Sequence, residues 1–267
     1  MPEAAIQSAG FLLELSPDWL IQRASENAHS FFSEYHQRLV GDPLSEFTLA
    51  QPLHDLRNSL SRQRGSSGIA RAYRVRLLDE PRYFDIAFQN TGDTILFEGL
   101  PSADEGIGDC LGSVSRLIDG LDQTDRKVMM EGAARRMRAL TGFDRAVLVL
   151  RGERVESSRS KRPELEITGE LPSIVANSAQ EPVGLFPHNN ERIGRALLRS
   201  PTLQQLEELR TAGIASILRV PVFRNGETVG HFECDNRTPR APSFELHAAA
   251  ELFAQMFSLR LAVDRAV

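Results

Sequence analysis

The chain has 267 residues, 41% of them hydrophobic and 25% charged, and these ordinary proportions exclude global disorder and predict two domains of usual size. Its net charge of -5 offers no broad basic field for a phosphate backbone, so we expect no nucleic-acid partner. The two cysteines lie far apart without metal-type spacing, and no apolar run is long enough to cross a membrane. These features predict a cytoplasmic protein without a membrane partner.

The first part of the chain has the pattern of a small α+β domain, with two strands, then helices, then three antiparallel strands. The segment from Asn90 to Asp93 separates the last two strands as a hairpin turn. The predicted elements are strands 11–15 and 19–23, helices 26–34 and 52–63, and strands 70–77, 83–88 and 94–97.

The second part predicts another α+β domain, joined to the first by a helix. Gly142 supplies a helix stop, and Asn225-Gly226 is the dipeptide that best suits the positive φ angles of a type I′ turn. The predicted elements are a connecting helix over 102–121, a helix over 122–140, a strand over 143–150 and an antiparallel hairpin over 214–233.

The last predicted helix, 243–265, is apolar around more of its circumference than one packed stripe requires. A helix fully buried in its own domain is one explanation. We favour a helix that packs on its own sheet and also on a second copy of the chain, which predicts a homodimer. The predicted interface residues are Leu252, Met256, Phe257, Leu259 and Val263.

Several stretches, in the right order, resemble the bacteriophytochromes. They are 6–13 and 24–28 in the first part of the chain, and 142–147, 198–200, 206–209, 213–216, 230–236, 238–240 and 255–259 in the second. The resemblance implies an α+β architecture of a PAS domain over 1–101, a connecting helix over 102–121 and a GAF domain over 122–267. Each domain would be an antiparallel sheet flanked by helices.

The cysteine that attaches biliverdin in this family has no counterpart in this sequence. In the family it precedes the PAS domain, and nothing before Ile6 supplies it. Cys110 and Cys234 occupy neither that position nor the alternative attachment site in the GAF domain, where Pro201 or Thr202 stands. We therefore expect no covalent bilin.

Other positions that touch the bilin in this family are also changed. The two histidines that contact the chromophore align with Gln205 and Asp235, and a tyrosine of the first GAF strand aligns with Val149. The family's Asp-Ile-Pro motif is absent from 170–187. Together these changes predict that the chain holds no cofactor.

Three residues match positions that hold a bilin propionate, namely Arg199, Thr202 and Ser216. An arginine could still form a bidentate pair with such a carboxylate. The resemblance therefore keeps a carboxylate site, with non-covalent biliverdin as its candidate ligand. The alternative is that Arg199 is a solvated or salt-bridged residue.

The family threads its leading segment through a GAF loop as a knot, and continues into a PHY domain and a histidine kinase. Here both the leading segment and the loop between Pro182 and Leu198 are short, so we expect no knot. We also expect no PHY domain and no kinase.

Groups that would carry out catalysis are missing from the sequence. It has no phosphate-binding glycine loop, no nucleophile elbow and no histidine pair at metal spacing, so we predict that the protein is not an enzyme. His231 is interpreted as a packed or hydrogen-bonded strand residue, with an axial haem contact as a weaker alternative. Cys234 is interpreted as a buried, inert thiol.

Three functional hypotheses remain from the sequence. The first is a phytochrome-like PAS–GAF signalling or scaffold protein that dimerises and binds an unidentified protein partner. The second is a photoreceptor that binds biliverdin or another bilin without a covalent bond. The third, a sensor of some other small ligand, rests on analogy with the GAF fold alone.

Overall fold

A computed structural model describes residues 4–62, 68–103, 110–118, 125–159, 167–188, 193–224 and 226–263, without the side chains of 110, 111, 262 and 263. Contacts divide the chain into two compact units. The first unit comprises Met1–Asp104, Gln180–Pro201 and Pro242–Phe244, and the second comprises Glu105–Ala179, Thr202–Ala241 and Glu245–Val267. We call Gln180–Pro201 the returning segment, because it follows part of the second unit in sequence but packs in the first.

The strands, in chain order, are β1 (Ala5–Ile6), β2 (Phe11–Leu15), β3 (Ile21–Ser25), β4 (Ala70–Val75), β5 (Phe84–Asn90), β6 (Ile95–Pro101), β7 (Arg145–Leu150), β8 (Glu153–Ser158), β9 (Ile174–Val175), β10 (Val183–Phe186), β11 (Ser216–Arg224) and β12 (Glu227–Asn236). The helices are α1 (His29–Phe32), α2 (His36–Leu39), α3 (Ala50–Arg62), α4 (Cys110–Ile118), α5 (Arg126–Thr141), α6 (Leu203–Thr211) and α7 (Phe244–Val263), with short 3₁₀ turns at Glu26–Ala28 and Leu44–Glu46. Both sheets are antiparallel, so the predicted α+β class is confirmed.

The sheet of the first unit has the strand order β1-β10-β3-β2-β6-β5-β4. Its core is rich in aromatic rings centred on Phe11, which lies 4.8 Å from Phe32 and 5.8 Å from Phe84 between ring centroids, both edge-to-face. Gly99 is paired with Phe11 across the sheet, and a Cβ at Gly99 would lie only 2.3 Å from the Phe11 ring. The missing side chain of Gly99 therefore makes room for the ring at the centre of this core.

The leading segment with the short strand that follows it, residues 4–7, is hydrogen-bonded on both edges by the returning segment. On one edge, Ile6 in β1 pairs with Val183 in β10. On the other edge, the amide of Gln7 donates to the carbonyl of Leu198 at 2.9 Å, and the amide of Ser200 donates to the carbonyl of Ala5 at 2.8 Å. The expectation of no knot rested on the shortness of these segments; nevertheless, the leading segment lies between two arms of the returning segment. Residues 189–192, which join the arms, lie outside the described residues.

The sheet of the second unit has the strand order β8-β7-β12-β11-β9. The predicted hairpin is present as β11 and β12, with Gly226 at φ +82°, whereas Asn225 lies outside the described residues. Asp125 caps α5 by accepting from the amide of Val128, and Gly142 ends it at φ +68°. One side of the sheet packs against apolar residues of α4, α5 and α7.

Helix α7 separates its apolar residues onto two faces. Phe253 and Phe257 are fully buried in the unit's own core, and the ring centroid of Phe257 lies 5.4 Å from that of Phe232. Met256 and Leu259 are instead 37% and 62% exposed. Spacings of three and four residues place Leu252, which is half-buried, on the same stripe as this exposed pair.

The predicted interface therefore needs a correction at Phe257. This side chain is fully buried in its own unit, because it shares the helix face of Phe253 and packs on the sheet. Leu252, Met256 and Leu259 lie along the exposed stripe, and the Val263 side chain is outside the described ones. In the described part of the chain, no helix is long and apolar enough to cross a membrane.

Gly230 provides a test of the second sheet. A Cβ at this position of β12 would lie 2.0 Å from the carbonyl oxygen of Val149 on β7, so a side chain must push the two strands apart. We expect Gly230→Ala to lower the free energy of unfolding by roughly 2 kcal/mol or more, measured by chemical denaturation. Gly194→Ala is the matched control, because no atom lies within 4 Å of its added Cβ. Equal midpoints for the two variants would contradict the tight approach of β7 and β12.

Candidate functional site

The second sheet has a polar face opposite its helix-covered face. On β7, Ala146, Leu148 and Leu150 belong to the core formed with the helices. Because successive strand residues point to opposite faces, Arg145 and Val149 lie on the other side. The same argument places the odd-numbered residues of β12 and β11, and the even-numbered residues of β8, on this polar face.

Strand register arranges the polar face in three rows. The rows run from β8 through β7 and β12 to β11 and are Arg154-Val149-His231-Pro221, Glu156-Val147-Glu233-Arg219 and Ser158-Arg145-Asp235-Ile217. Side chains directly opposite or diagonal to one another in such rows are close enough to interact. Four strands therefore contribute charged side chains to this face, whereas the opposite face is apolar and packs against the helices.

The strongest interaction on the polar face is a buried ion pair between Arg145 and Asp235. The Nε of Arg145 donates to Oδ2 of Asp235 at 2.6 Å, and the two side chains are 1% and 0% exposed. Glu156 extends the pair, with an oxygen 3.8 Å from Arg145 and 3.4 Å from Arg154. Two buried opposite charges offset each other's desolvation only while both are present, so this pair fixes β7 against β12.

The middle of the polar face holds His231, Glu233 and Arg219. An Nη of Arg219 lies 3.2 Å from each ring nitrogen of His231. Burial and the Arg219 charge lower the pKa of His231 to about 4, so the ring is neutral at neutral pH and can accept from the guanidinium. Burial raises the pKa of Glu233, and Arg219 opposes that rise.

The structure bears on two interpretations made from the sequence, the axial haem contact of His231 and the inert thiol of Cys234. Because the His231 ring nitrogens face a guanidinium, they are poorly placed to act as an axial haem ligand. Cys234 lies on the other face, fully buried, where burial raises the pKa of its thiol to about 12 and keeps it protonated. Among the described residues, no cluster of three or more metal-ligating side chains could hold a metal ion.

Ser216, one of the three predicted carboxylate-binding residues, is fully engaged within the protein. Its Oγ is 2.7 Å from the carbonyl of Ala176 and 3.1 Å from that of Thr238, and it accepts from the amide of Arg240 at 2.8 Å. It is 1% exposed. Ser216 and Leu218 are two residues apart on β11, so both lie on the face of the sheet that the helices cover.

Thr202 is the N-cap of α6. Its hydroxyl accepts from the amide of Gln205 at 3.2 Å, and the Gln205 side-chain oxygen accepts from the amide of Thr202 at 3.0 Å. This reciprocal capping box satisfies two amides that the first helical turn leaves without partners. The side-chain Nε2 of Gln205 also donates to the carbonyls of Thr168 and Glu170, at 2.9 and 3.3 Å.

Arg199 belongs to the first unit, whereas Thr202 and Ser216 belong to the second. Its backbone forms a bridge with Ile6, and its carbonyl accepts from the side chain of Gln7 at 3.3 Å. The three predicted residues therefore have separate local roles: a backbone tie to the leading segment, a helix cap and a buried strand hydroxyl.

Known protein families match both parts of the chain. A model of the GAF domain matches residues 125–264, which is more than half of the chain, and a PAS fold model matches residues 2–98. The chain therefore belongs to the GAF domain family and carries a PAS fold ahead of its GAF domain. The predicted order of the two domains is confirmed.

The proteins to which the chain is similar include phytochromes. The chain is 20% identical to cyanobacterial phytochrome B of Nostoc sp., over 96% of this chain and 38% of that protein. It superposes on the photosensory core module of a Stigmatella aurantiaca phytochrome with a TM-score of 0.81 at 23% identity, covering 99% of this chain and 59% of that one. A variant chromophore-binding domain of a bacteriophytochrome from the same organism gives 0.80 at 22%, covering 97% and 96%. The chain thus spans well under half of the curated relative.

The residues at these positions do not fit a bilin held as the resemblance implies. Gln205 and Asp235 stand where the chromophore-contacting histidines align, and both use their polar atoms inside the protein, one in a capping box and one in an ion pair. Thr202 and Ser216 are likewise engaged. Binding a bilin here would require breaking bonds that already satisfy buried groups, which costs free energy.

The Arg145–Asp235 pair can be tested by removing one partner or both. Asp235→Ala leaves a buried guanidinium without its main counter-charge and should lower the free energy of unfolding by about 3–5 kcal/mol. The double variant Arg145→Met with Asp235→Leu should lose much less, because no charge remains buried. Arg154→Met, which alters a pair with both members about 30% exposed, is the control and should cost less than about 1 kcal/mol. Denaturant titration measures all three, and a double variant no more stable than Asp235→Ala would contradict this account.

Proposed function

We propose that this chain is a phytochrome-like PAS–GAF signalling or scaffold module that acts without a bilin, through dimerisation and binding of another protein. The observation that carries the proposal is the commitment of Gln205 and Asp235 to internal bonds. A chromophore needs unsatisfied polar groups that converge on it, and here these positions have partners in the protein. We place the module in the cytoplasm and assign it no catalytic activity.

The proposed dimer rests on the exposed stripe of α7. Met256 and Leu259 are large apolar side chains at a spacing of three residues, so they lie side by side on the helix surface. Leu252 extends the stripe toward the start of the helix. The opposite face of α7 is already used by the core of its own unit, which leaves this stripe for a second copy of the chain.

Absorbance spectroscopy tests the absence of bilin. We expect the purified chain, mixed with biliverdin or co-expressed with haem oxygenase, to show no red-shifted band and no retention of bilin on a desalting column. A phytochrome fragment that binds bilin is the positive control. A red-shifted band that saturates with added biliverdin and survives desalting would contradict the proposal. It would establish the second hypothesis, a non-covalent photoreceptor.

Light scattering tests the dimer. We expect a mass of twice 29.7 kDa for the unaltered chain at micromolar concentration, and a mass near 29.7 kDa when Met256→Glu and Leu259→Glu are combined. The double variant should remain folded, with an unchanged far-ultraviolet circular dichroism spectrum, since Met256 and Leu259 are 37% and 62% exposed in the single chain. Gln255→Glu, an exposed polar position on the same helix, is the matched control and should stay dimeric.

Two outcomes would contradict the assignment of the stripe. One is a monomeric mass for the unaltered chain, and the other is an unchanged dimer in the double variant. Phe257→Glu is unsuitable for this purpose, because a charge at a fully buried position unfolds the unit whatever its assembly.

A further inference from the structure

The methionines of the second unit differ sharply in their access to solvent. Met129, Met130 and Met137 on α5 are 2%, 0% and 0% exposed, and all three belong to the core between the sheet and the helices. Met256 on α7 is 37% exposed. Among the methionines that the structure describes, Met256 is therefore the one that a reagent dissolved in water reaches in the folded chain.

The buried thiol of Cys234 does not compete with Met256 for an oxidant. It is 0% exposed, its Sγ lies 3.6 Å from the hydroxyl oxygen of Thr141, and burial raises its pKa to about 12. A thiol reacts with oxidants as the thiolate, so Cys234 is inert in neutral solution. A methionine thioether has no proton to lose, so its oxidation depends on access rather than on ionisation.

Helix geometry places Met256 at the middle of the exposed stripe of α7. Phe257 follows it in sequence, but the helix turns by about 100° per residue, so Phe257 faces the core and Met256 does not. Leu252 lies four residues before Met256 and Leu259 three residues after it, which puts all three on one stripe. The thioether therefore has a leucine on either side.

Oxidation of this thioether changes the chemistry of the stripe. A hydroperoxide transfers one oxygen atom to the sulfur: a sulfur lone pair forms the S–O bond, the O–O bond breaks, and the remainder of the peroxide leaves as water or an alcohol. The thioether is oxidised and the peroxide is reduced, so the step balances without a further reagent. The product is a sulfoxide, which puts a polar oxygen on an apolar surface.

We propose that Met256 is a modification site at which a hydroperoxide forms methionine sulfoxide, and that the sulfoxide prevents the stripe of α7 from binding a second copy of the chain. The second part rests on the dimer proposed for this stripe. In a two-fold dimer both copies bring Met256 to the same interface, so one modification per chain places two sulfoxides there.

The sulfoxide oxygen opposes dimerisation because it must give up its bound water. Leu252 and Leu259, which flank Met256 on the stripe, offer side chains without a hydrogen-bond donor, so the stripe does not replace that water. For one such oxygen from each copy, the dissociation constant of the dimer should rise at least about 30-fold.

Oxidation and dimerisation compete for the same side chain. A second copy that covers Met256 shields its sulfur, so the monomer is the form that reacts, and oxidised chains accumulate as monomers. The rate of oxidation at Met256 should therefore fall as the protein concentration rises through the dissociation constant. A methionine that is exposed but has no part in assembly would react at the same rate at every protein concentration.

Dilute hydrogen peroxide tests the site in the intact chain. Mass spectrometry of proteolytic fragments should show one added oxygen at Met256, whereas Met129, Met130 and Met137 should stay unmodified. Light scattering should then give a mass near 29.7 kDa. A thiol reductant alone should not restore the dimer, which excludes cysteine oxidation as the cause, whereas methionine sulfoxide reductases with that reductant should restore it.

Met256→Leu should gain no oxygen at this position, and its mass should be the same before and after peroxide, because leucine has no sulfur. Equal oxidation of Met256 and the three buried methionines would overturn the proposal. So would an oxidised chain that keeps its dimeric mass, or an oxidation rate at Met256 that does not vary with protein concentration. A monomeric mass before peroxide is added would instead contradict the proposed dimer and its control by oxidation, while the fragment masses still decide whether Met256 is the modification site.

Discussion

The buried ion pair between Arg145 and Asp235 is the interaction on which the second unit's polar face depends. It joins β7 to β12 at the centre of the sheet. The Nε of Arg145 lies 2.6 Å from Oδ2 of Asp235 and both side chains are buried, so neither charge is compensated if the other is removed. Further charged side chains lie on the same face beside this pair: Glu156 on β8, Glu233 on β12 and Arg219 on β11. The position that the phytochrome resemblance assigns to a chromophore contact has thus become part of the fold's own electrostatics.

Much of the architecture could be predicted from the sequence because it depends on local patterns. The β11–β12 hairpin and the end of α5 at Gly142 follow from turn chemistry and apolar alternation, whereas the order of the PAS and GAF domains came from the resemblance to the bacteriophytochromes. Pairing between distant segments could not be predicted in this way. Leu185 pairs with Ser25 across the sheet of the first unit, and nothing in either local pattern specifies that partner.

In the candidate site, too, the residue types could be read from the sequence, but their contacts with distant segments could not. The changed positions Gln205 and Asp235 were visible in the sequence, but their partners depend on register and on a loop at 168–170. The apolar excess of α7 was also visible, yet only the packing against Phe232 shows that Phe257 faces the core while Leu259 faces outward. Composition indicates that a helix is apolar on more than one face, and tertiary structure decides which residues are buried and which are exposed.

The polar groups of this face are bonded within the protein, and the side-chain resonance of Arg145 reports on these bonds. A guanidinium Nε–H held at 2.6 Å by a buried carboxylate should give a slowly exchanging NMR signal that Asp235→Ala removes. We expect excess biliverdin to leave this signal unmoved. A shift or loss of the signal on adding biliverdin, together with a red-shifted absorbance band, would contradict it.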